Sequence, residues 1–410
     1  MEEETTQQQN VKKLGIHLIS NAIWAQTGYG GQAKLILPRL QALGYPVSMT
    51  GYYGLQGHTL KFNDMMVYPC GYHPYGMDVA AGNAKQEQAD VLMTNVDVWV
   101  CEPAMFVDVP WVPWYPIDSG SINPLILSKL PQSFDRIAMS KFAQKMVQDA
   151  GLQSRYIPCS IDTKVFTPSD KKRALDEMNL HIPAKVPENA YLVSMVAMNK
   201  GAPSRKAFFQ QFRAFKKFKD AHPEAVLYAH TIRCEHGEQG GINLVEICNF
   251  LGLQVNKDVL FPDPLLVING YPDIFLNAVY NASDVFLSVT MGEGFGIPIV
   301  EAQAAGCPVI IGDWTSMSEL LFSGWRVTKK EAHEQWTLLS AIQYDPSWEA
   351  IADRLEMAYQ MRGNQEYRNR ARDGALAYDV DKVVEKYWVP TLDAIAAKLK
   401  DRPKFIEAPK

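Results

Sequence analysis

At 410 residues, with 47% hydrophobic and 21% charged side chains, the chain has a globular composition and exceeds the length that one hydrophobic core usually organises, so two domains are expected. A formal net charge of −5 excludes a general attraction to polyanions, and no local basic patch offers a nucleic acid an alternative. The six cysteines include no CxxC pair, which excludes the zinc-ribbon and thioredoxin-like readings and points to reduced thiols in a cytoplasmic protein.

Along the chain, the segment from Met1 to Asn10 is acidic and polar, unlike a signal peptide, and reads as a frayed tail. Short β-branched apolar runs then alternate with helical patterns, as in parallel sheets covered by helices on both faces. Strands are expected at Leu14 to Ser20, Val47 to Thr50, Val91 to Thr94, Trp111 to Tyr115, Arg136 to Met139 and Arg155 to Ile157. Helices are expected at Gln32 to Leu43 and at Lys141 to Ala150, each followed by a glycine suited to the left-handed position after a last turn. The proline-punctuated stretch from Ile182 to Asn189 marks a domain boundary.

Beyond the boundary the same grammar repeats. Strands are expected at Tyr191 to Ala197, Val226 to Ala229, Val259 to Phe261, Val285 to Val289 and Val309 to Ile311, and helices at Arg205 to Asp220, Leu244 to Leu251, Tyr271 to Asn281 and Pro298 to Ala305. From Asp345 on, the pattern is helix after helix. The fold class is therefore α/β, with two Rossmann-like domains at 1–185 and 186–382 facing one another across a cleft between the carboxyl ends of their sheets. The longest weakly charged run, Gly294 to Gly312, holds Glu301 and two prolines, so it reads as helix plus strand and no integral membrane segment is expected.

The segment from Val285 to Ile311 carries the densest chemistry: strand, glycine loop, helix, strand. Pro298 suits a first helical position, and Gly306 followed by Pro308 ends that helix. The unpaired amides of the Gly-Phe-Gly-Ile turn, with the helix dipole, suit a diphosphate or sugar oxygens. Gly294 and Gly296 let that backbone approach a ligand closely. Glu293 in the loop and Glu301 in the first turn can face the same ligand, because carboxylates accept from vicinal hydroxyls. In the alternative, Glu301 complements the dipole and Glu293 is a solvated loop residue.

Ser204-Arg205-Lys206 opens a helix whose apolar stripe is Phe208, Phe212, Phe215 and Phe218. Two cations there oppose the dipole by a few tenths to ~1 kcal/mol unless an anion joins them, and a diphosphate would be that anion. Otherwise both side chains simply reach solvent.

Glu293-Gly-Phe-Gly-Ile-Pro-Ile-Val-Glu301, with Gly306-Cys-Pro-Val behind it and Asn281-Ala-Ser-Asp284 and Ser318-Glu319-Leu flanking it, resembles the E-x7-E donor motif of GT-B-fold retaining glycosyltransferases, most closely glycosyltransferase family 4. The resemblance implies a GT-B architecture whose last helix, about 383–410, crosses back to the first domain. It implies transfer of a sugar from a UDP- or GDP-sugar to an acceptor hydroxyl with retention, with no metal and no cofactor beyond that co-substrate. By the same resemblance, Glu301 holds the nucleotide ribose, Glu293 a sugar hydroxyl, and the amides of Phe295, Gly296 and Ile297 the sugar and diphosphate. Lys206, with Arg205 beside it, neutralises the leaving group. Met198-Asn199 stands where members commonly carry an arginine.

In the first domain Gly28-Tyr-Gly-Gly-Gln-Ala satisfies G-x-G-x-x-A, yet no acidic residue lies between Thr5 and Asn63 to hold an adenosine ribose. It resembles instead the family's glycine loop, with Gly30 and Gly31 near the donor phosphate or the acceptor; a tight turn packed under the helix is the alternative. The aromatic loop from Trp111 to Gly120 suits stacking on a sugar, with Asp118 orienting an acceptor hydroxyl, or else forms a buried wedge with an Asp turn. Asp379-Val-Asp381 reads as a helix cap and not as a metal motif. Two other functions stay open: a scaffold of this fold without turnover, and a transferase acting on modified DNA bases.

Overall fold

The computed structural model describes residues 12–106, 108–236 and 240–401. The acidic amino-terminal segment and the last residues of the expected 383–410 helix lie outside the described residues. The apolar runs of the first half become strands buried on both faces, as parallel strands covered by helices must be: Ile16–Ser20, Val91–Asn95 and Trp111–Tyr115 have no exposed residue. They belong to an eight-stranded sheet. Its spatial order is Leu60–Phe62, Met65–Pro69, Val47–Gly51, Ile16–Ser20, Val91–Asn95, Trp111–Tyr115, Ile137–Ala138 and Arg155–Tyr156. All neighbours run parallel except the outer pair 60–62 and 65–69. That outer pair was not expected, because Leu60–Phe62 is only three residues long and exposed throughout.

The second sheet is six-stranded and parallel, in the order Val259–Leu260, Ala225–His230, Tyr191–Val196, Val285–Ser288, Val309–Gly312 and Gly324–Val327. The reading of a helical ending from Asp345 needs one correction. Ala332–Trp336 and Ile342–Pro346 form an antiparallel hairpin, and the helices begin at Trp348, where the Ser347 hydroxyl accepts the Ala350 amide at 3.1 Å.

The domain boundary also moves. Helix Lys171–His181 lies before residue 185, but its Ala174, Leu175 and Met178 pack with Leu192, Val226, Tyr228, Phe275 and Val279 in a core of the second domain. The crossing therefore falls near residues 161–169. The chain returns near residues 378–381, where Ile161 and Asp379 pair as a parallel bridge and Thr163 donates to the Asp379 carboxylate at 2.5 Å. Asp379 also accepts the Asp381 amide at 3.1 Å, while Asp381 pairs with Arg39 at 2.6 Å and Lys164 at 3.0 Å, so this acidic pair caps and ties.

The last helix, Val389–Lys400, returns to the first domain. Trp388, just ahead of it, sits edge-on to Trp114 at 5.0 Å, Tyr387 edge-on to Tyr156 at 5.5 Å, and Lys398 reaches Asp135 at 3.5 Å.

Candidate functional site

In each sheet the strand order reverses beside the first strand of its domain, between 16–20 and 91–95 in one and between 191–196 and 285–288 in the other. Ligands bind α/β sheets in the crevice outside such carboxyl ends. The loops leaving these four strands carry Asp97, Arg205, Lys206 and Glu293, the first turn of helix Gly28–Ala42 carries Tyr29, and the structure brings them together.

Glu293 is the centre. Its carboxylate receives Lys206 Nζ at 2.5 Å and Arg205 at 3.4 Å. Arg205 also donates to the Gly292 carbonyl and reaches Asp118 of the first domain at 3.3 Å. Burial alone would raise the Glu293 pKa, but Lys206 and Arg205 outweigh it and hold the carboxyl down at about 2. Burial works against the Arg205 charge too, and Glu293 and Asp118 reverse that and raise its pKa. Lys206 is lowered, first by burial and then by Arg205, against the pull of Glu293. Three buried charges hold one another while still partly open to the cleft.

The two cations do not open the helix as expected. Helix Phe208–Ala221 begins after Ala207, whose φ of 49° breaks the helical path, so Arg205 and Lys206 sit in the preceding turn. The carboxylates, and not the dipole, set their position. Asn199 is buried where the family arginine was expected, and its amide bonds the carbonyls of Ile232 and Ile242 at 3.1 and 2.7 Å. No guanidinium stands there.

Glu301 belongs to the second turn of helix Ile297–Ala304, not the first. Burial pushes its carboxyl up to about 8, and the Tyr280 hydroxyl donates to it at 3.0 Å. The turn ahead of that helix is fixed by Ser316, which donates to the carbonyls of Glu293 and Phe295 at 2.6 and 2.7 Å, and by Thr315, which accepts the Glu293 amide at 3.0 Å. The amides of Phe295, Gly296 and Ile297 have no hydrogen-bond partner among the described residues. A run of unpartnered amides therefore stands at this helix start, the kind of backbone that can take an anion.

Packing or backbone conformation accounts for Gly294, Gly296 and Gly30, the last as the tight-turn alternative, whereas a Cβ at Gly31 would meet nothing within 4 Å. A Cβ at Gly294 would collide with Pro116 of the first domain, and Gly296 takes φ +106° as the cap of its helix. At Gly30 a Cβ would collide with the carbonyls of Ala25 and Ala22, so that glycine serves loop packing. Its amide donates to the Thr27 hydroxyl at 3.0 Å, and the Gly31 amide to the Thr27 carbonyl at 2.8 Å. The amides left over at that helix start are those of Gly28 and Tyr29.

The domains are closed on each other here. Gly120 donates to the Ile342 carbonyl at 2.7 Å, Ile342 donates to Ser121 Oγ at 3.0 Å, and the Lys141 amide reaches Glu319 at 3.0 Å. Asp97, Tyr29, Tyr280, Thr315 and Ser316 were not singled out from sequence. Asp97 was within reach, since it follows an expected strand at the carboxyl edge. Among the described residues, no group of three or more His, Cys, Asp or Glu could hold a metal ion, and no helix is long and apolar enough to cross a membrane.

Residues 244–342, which contain the E-x7-E turn, match the family of glycosyl transferases group 1. The O-antigen chain mannosyltransferase B of Escherichia coli is 35% identical over 86 residues, a stretch that covers 20% of this chain and 22% of that enzyme. Across nearly the whole chain the similarity is structural. Sucrose-phosphate synthase from Thermosynechococcus elongatus superposes with a TM-score of 0.71 at 15% identity, over 94% of this chain and 100% of that one. A glycosyltransferase from Rickettsia africae gives 0.66 at 16%, over 96% and 100%. Anabaena HepE in complex with UDP-glucose gives 0.66 at 15%, over 95% and 100%. The GT-B fold expected from the motif is borne out across the chain, and the resemblance to its glycosyltransferases in the donor-side segment.

Proposed function

From a donor-side segment of the group 1 glycosyl transferases set in a complete GT-B fold, we infer that this protein is a glycosyltransferase that takes its sugar from a nucleoside diphosphate. The observation that carries the reading is the convergence of Lys206, Arg205 and Glu293 beside the bare amides of Phe295 to Ile297. Departure of the diphosphate places negative charge on its β-phosphate, and preorganised cations and N–H groups lower the barrier to that step. Glu293 and Asp118 pair with those cations; when the donor binds, the diphosphate takes their place on Arg205 and Lys206, and Glu293 turns to a sugar hydroxyl. Glu301 receives the ribose hydroxyls.

The reaction proceeds with retention. The bond from the anomeric carbon to the phosphate oxygen breaks with its electrons passing to phosphate, the acceptor oxygen bonds on the same face, and its proton goes to the leaving phosphate. The charges on Arg205 and Lys206 make a metal unnecessary. The donor is a UDP- or GDP-sugar, as in the HepE complex with UDP-glucose, and closure of Pro116 onto Gly294 excludes water from the reacting bond.

A panel of UDP- and GDP-sugars screened by thermal shift identifies the donor, and release of nucleoside diphosphate from it measures turnover. A chain that binds no nucleotide sugar would overturn the reading; one that binds but never releases the diphosphate would be a scaffold.

A further inference from the structure

The first-domain wall of the cleft displays an excess of hydrogen-bond acceptors. Asp97, two residues beyond strand Val91–Asn95, receives the Tyr29 hydroxyl at 3.2 Å. Asp118 receives Arg205 at 3.3 Å. Tyr29, Tyr52 and Tyr75 all stand within the field of Asp97, and Tyr52 meets Tyr75 edge-on at 5.3 Å. Burial and the nearby Asp118 push the Asp97 carboxyl up to about 6, and Arg205 is the cation that offsets them.

A second observation is independent of these charges. The side-chain oxygens of Asn21 and Asn95, two residues 7% and 0% exposed at the same strand ends, have no hydrogen-bond partner. Their amino groups are already used: Asn95 donates to Ser20 and to the Tyr29 carbonyl at 3.1 Å each, and Asn21 donates to Thr27 at 2.6 Å. Buried acceptors without donors are costly and call for a group that brings hydrogen.

We propose that the acceptor substrate is an uncharged, hydroxyl-rich saccharide or glycoside, not a phosphorylated sugar, and that Asp97 together with Asp118 selects it by accepting its hydroxyl hydrogens. The proposal rests on the reading of this wall as the acceptor side of a glycosyltransferase. Sugar hydroxyls donate as well as accept, so they answer carboxylates and orphaned amide oxygens alike. A phosphate brings only acceptors and two negative charges, and here it would face two carboxylates. Among the described residues, the two cations that Asp118 feels, Arg205 and Lys206, are already held by Asp118 and Glu293 and are needed by the leaving diphosphate. Selection against phosphorylated sugars is thus built from repulsion as much as from attraction.

The test uses the full chain saturated with UDP or GDP, whichever binds, and matched probes observed by ligand NMR: methyl α-glucoside against glucose 6-phosphate, and methyl α-mannoside against mannose 6-phosphate. The neutral member of at least one pair should bind tenfold or more tightly than its phosphorylated twin. In Asp97→Asn the neutral probe should weaken threefold or more while the phosphorylated probe holds or improves, a split that general damage to the cleft would not produce. A phosphorylated twin that binds as well as the neutral one, a neutral probe indifferent to Asp97→Asn, or no binding by either member of both pairs would overturn the proposal. Failure of both UDP and GDP to bind would instead remove the nucleotide-sugar reading beneath it.

Discussion

Replacing Glu301 by Gln should change how stability depends on pH when no nucleotide is added. The carboxyl is held at about 8 against an ordinary value of 4.5, with burial as the largest cause. Its folded pKa exceeds its unfolded one, so between roughly pH 4.5 and pH 8 the native state holds a proton that the unfolded chain has released, and stability falls as pH rises through that window. Each tenfold difference in proton affinity is worth about 1.4 kcal/mol, which gives an upper figure of roughly 4–5 kcal/mol. Because the side chain keeps some contact with solvent, about 2–3 kcal/mol is the expected loss. Urea unfolding at pH 5 and pH 8.5 without ligand measures it: Glu301→Gln should lack this loss and be relatively more stable at the higher pH. Parallel pH curves for the two proteins would refute the reasoning. The same carboxyl, once ionised, is the better partner for ribose hydroxyls, so nucleotide binding near pH 7 should release a proton, visible as a buffer-dependent heat in calorimetry.

Lys206→Ala should lower turnover by about 100-fold, and by no less than tenfold, because it removes one preorganised charge from the leaving group; near-normal rates would remove the assignment. Gly294→Ala should wedge the cleft open, since its new methyl meets Pro116, and should raise the radius of gyration in small-angle scattering while cutting transfer at least tenfold. Trp388→Ala should cost about 3–5 kcal/mol in urea unfolding, since the ring is 2% exposed and packs on Trp114; a loss below about 1 kcal/mol would mean that the returning segment contributes little to the first domain.

The core strands were legible because a parallel strand buried on both faces is mostly apolar, and Ile16–Ser20, Val91–Asn95 and Tyr191–Val196 are so apart from a few buried polar side chains such as His17 and Ser194. Leu60–Phe62 and the hairpin at 332–346 were not, since exposed strands owe their form to pairing partners far from any local signal. In the site, the spacing of Glu293 and Glu301 was visible as a motif. The Glu293 contact with Lys206, 87 residues apart in sequence, could be expected only through the ligand that both would share. Helix Phe208–Ala221 shows the limit of periodicity: the phenylalanine stripe gives its buried face, but the left-handed backbone at Ala207 decides where it starts. Residues 171–181, which form an unexpected helix, fell on the wrong side of the expected boundary because proline marks loops, and a loop within a domain looks the same as one between two.

The chain passes between the domains twice, and the passages are stitched side by side by the Ile161 and Asp379 backbones and by Arg372, which donates to the carbonyls of Thr163 and Phe166. Pulling the halves apart along a line would tear both strands of this seam at once, whereas twisting about it disturbs little. A protease cut at residue 165 would sever one passage and still not free the amino-terminal piece, because the other piece carries Trp388 and Lys398, which stay clamped on Trp114 and Asp135. The nicked molecule would travel as one particle until denatured.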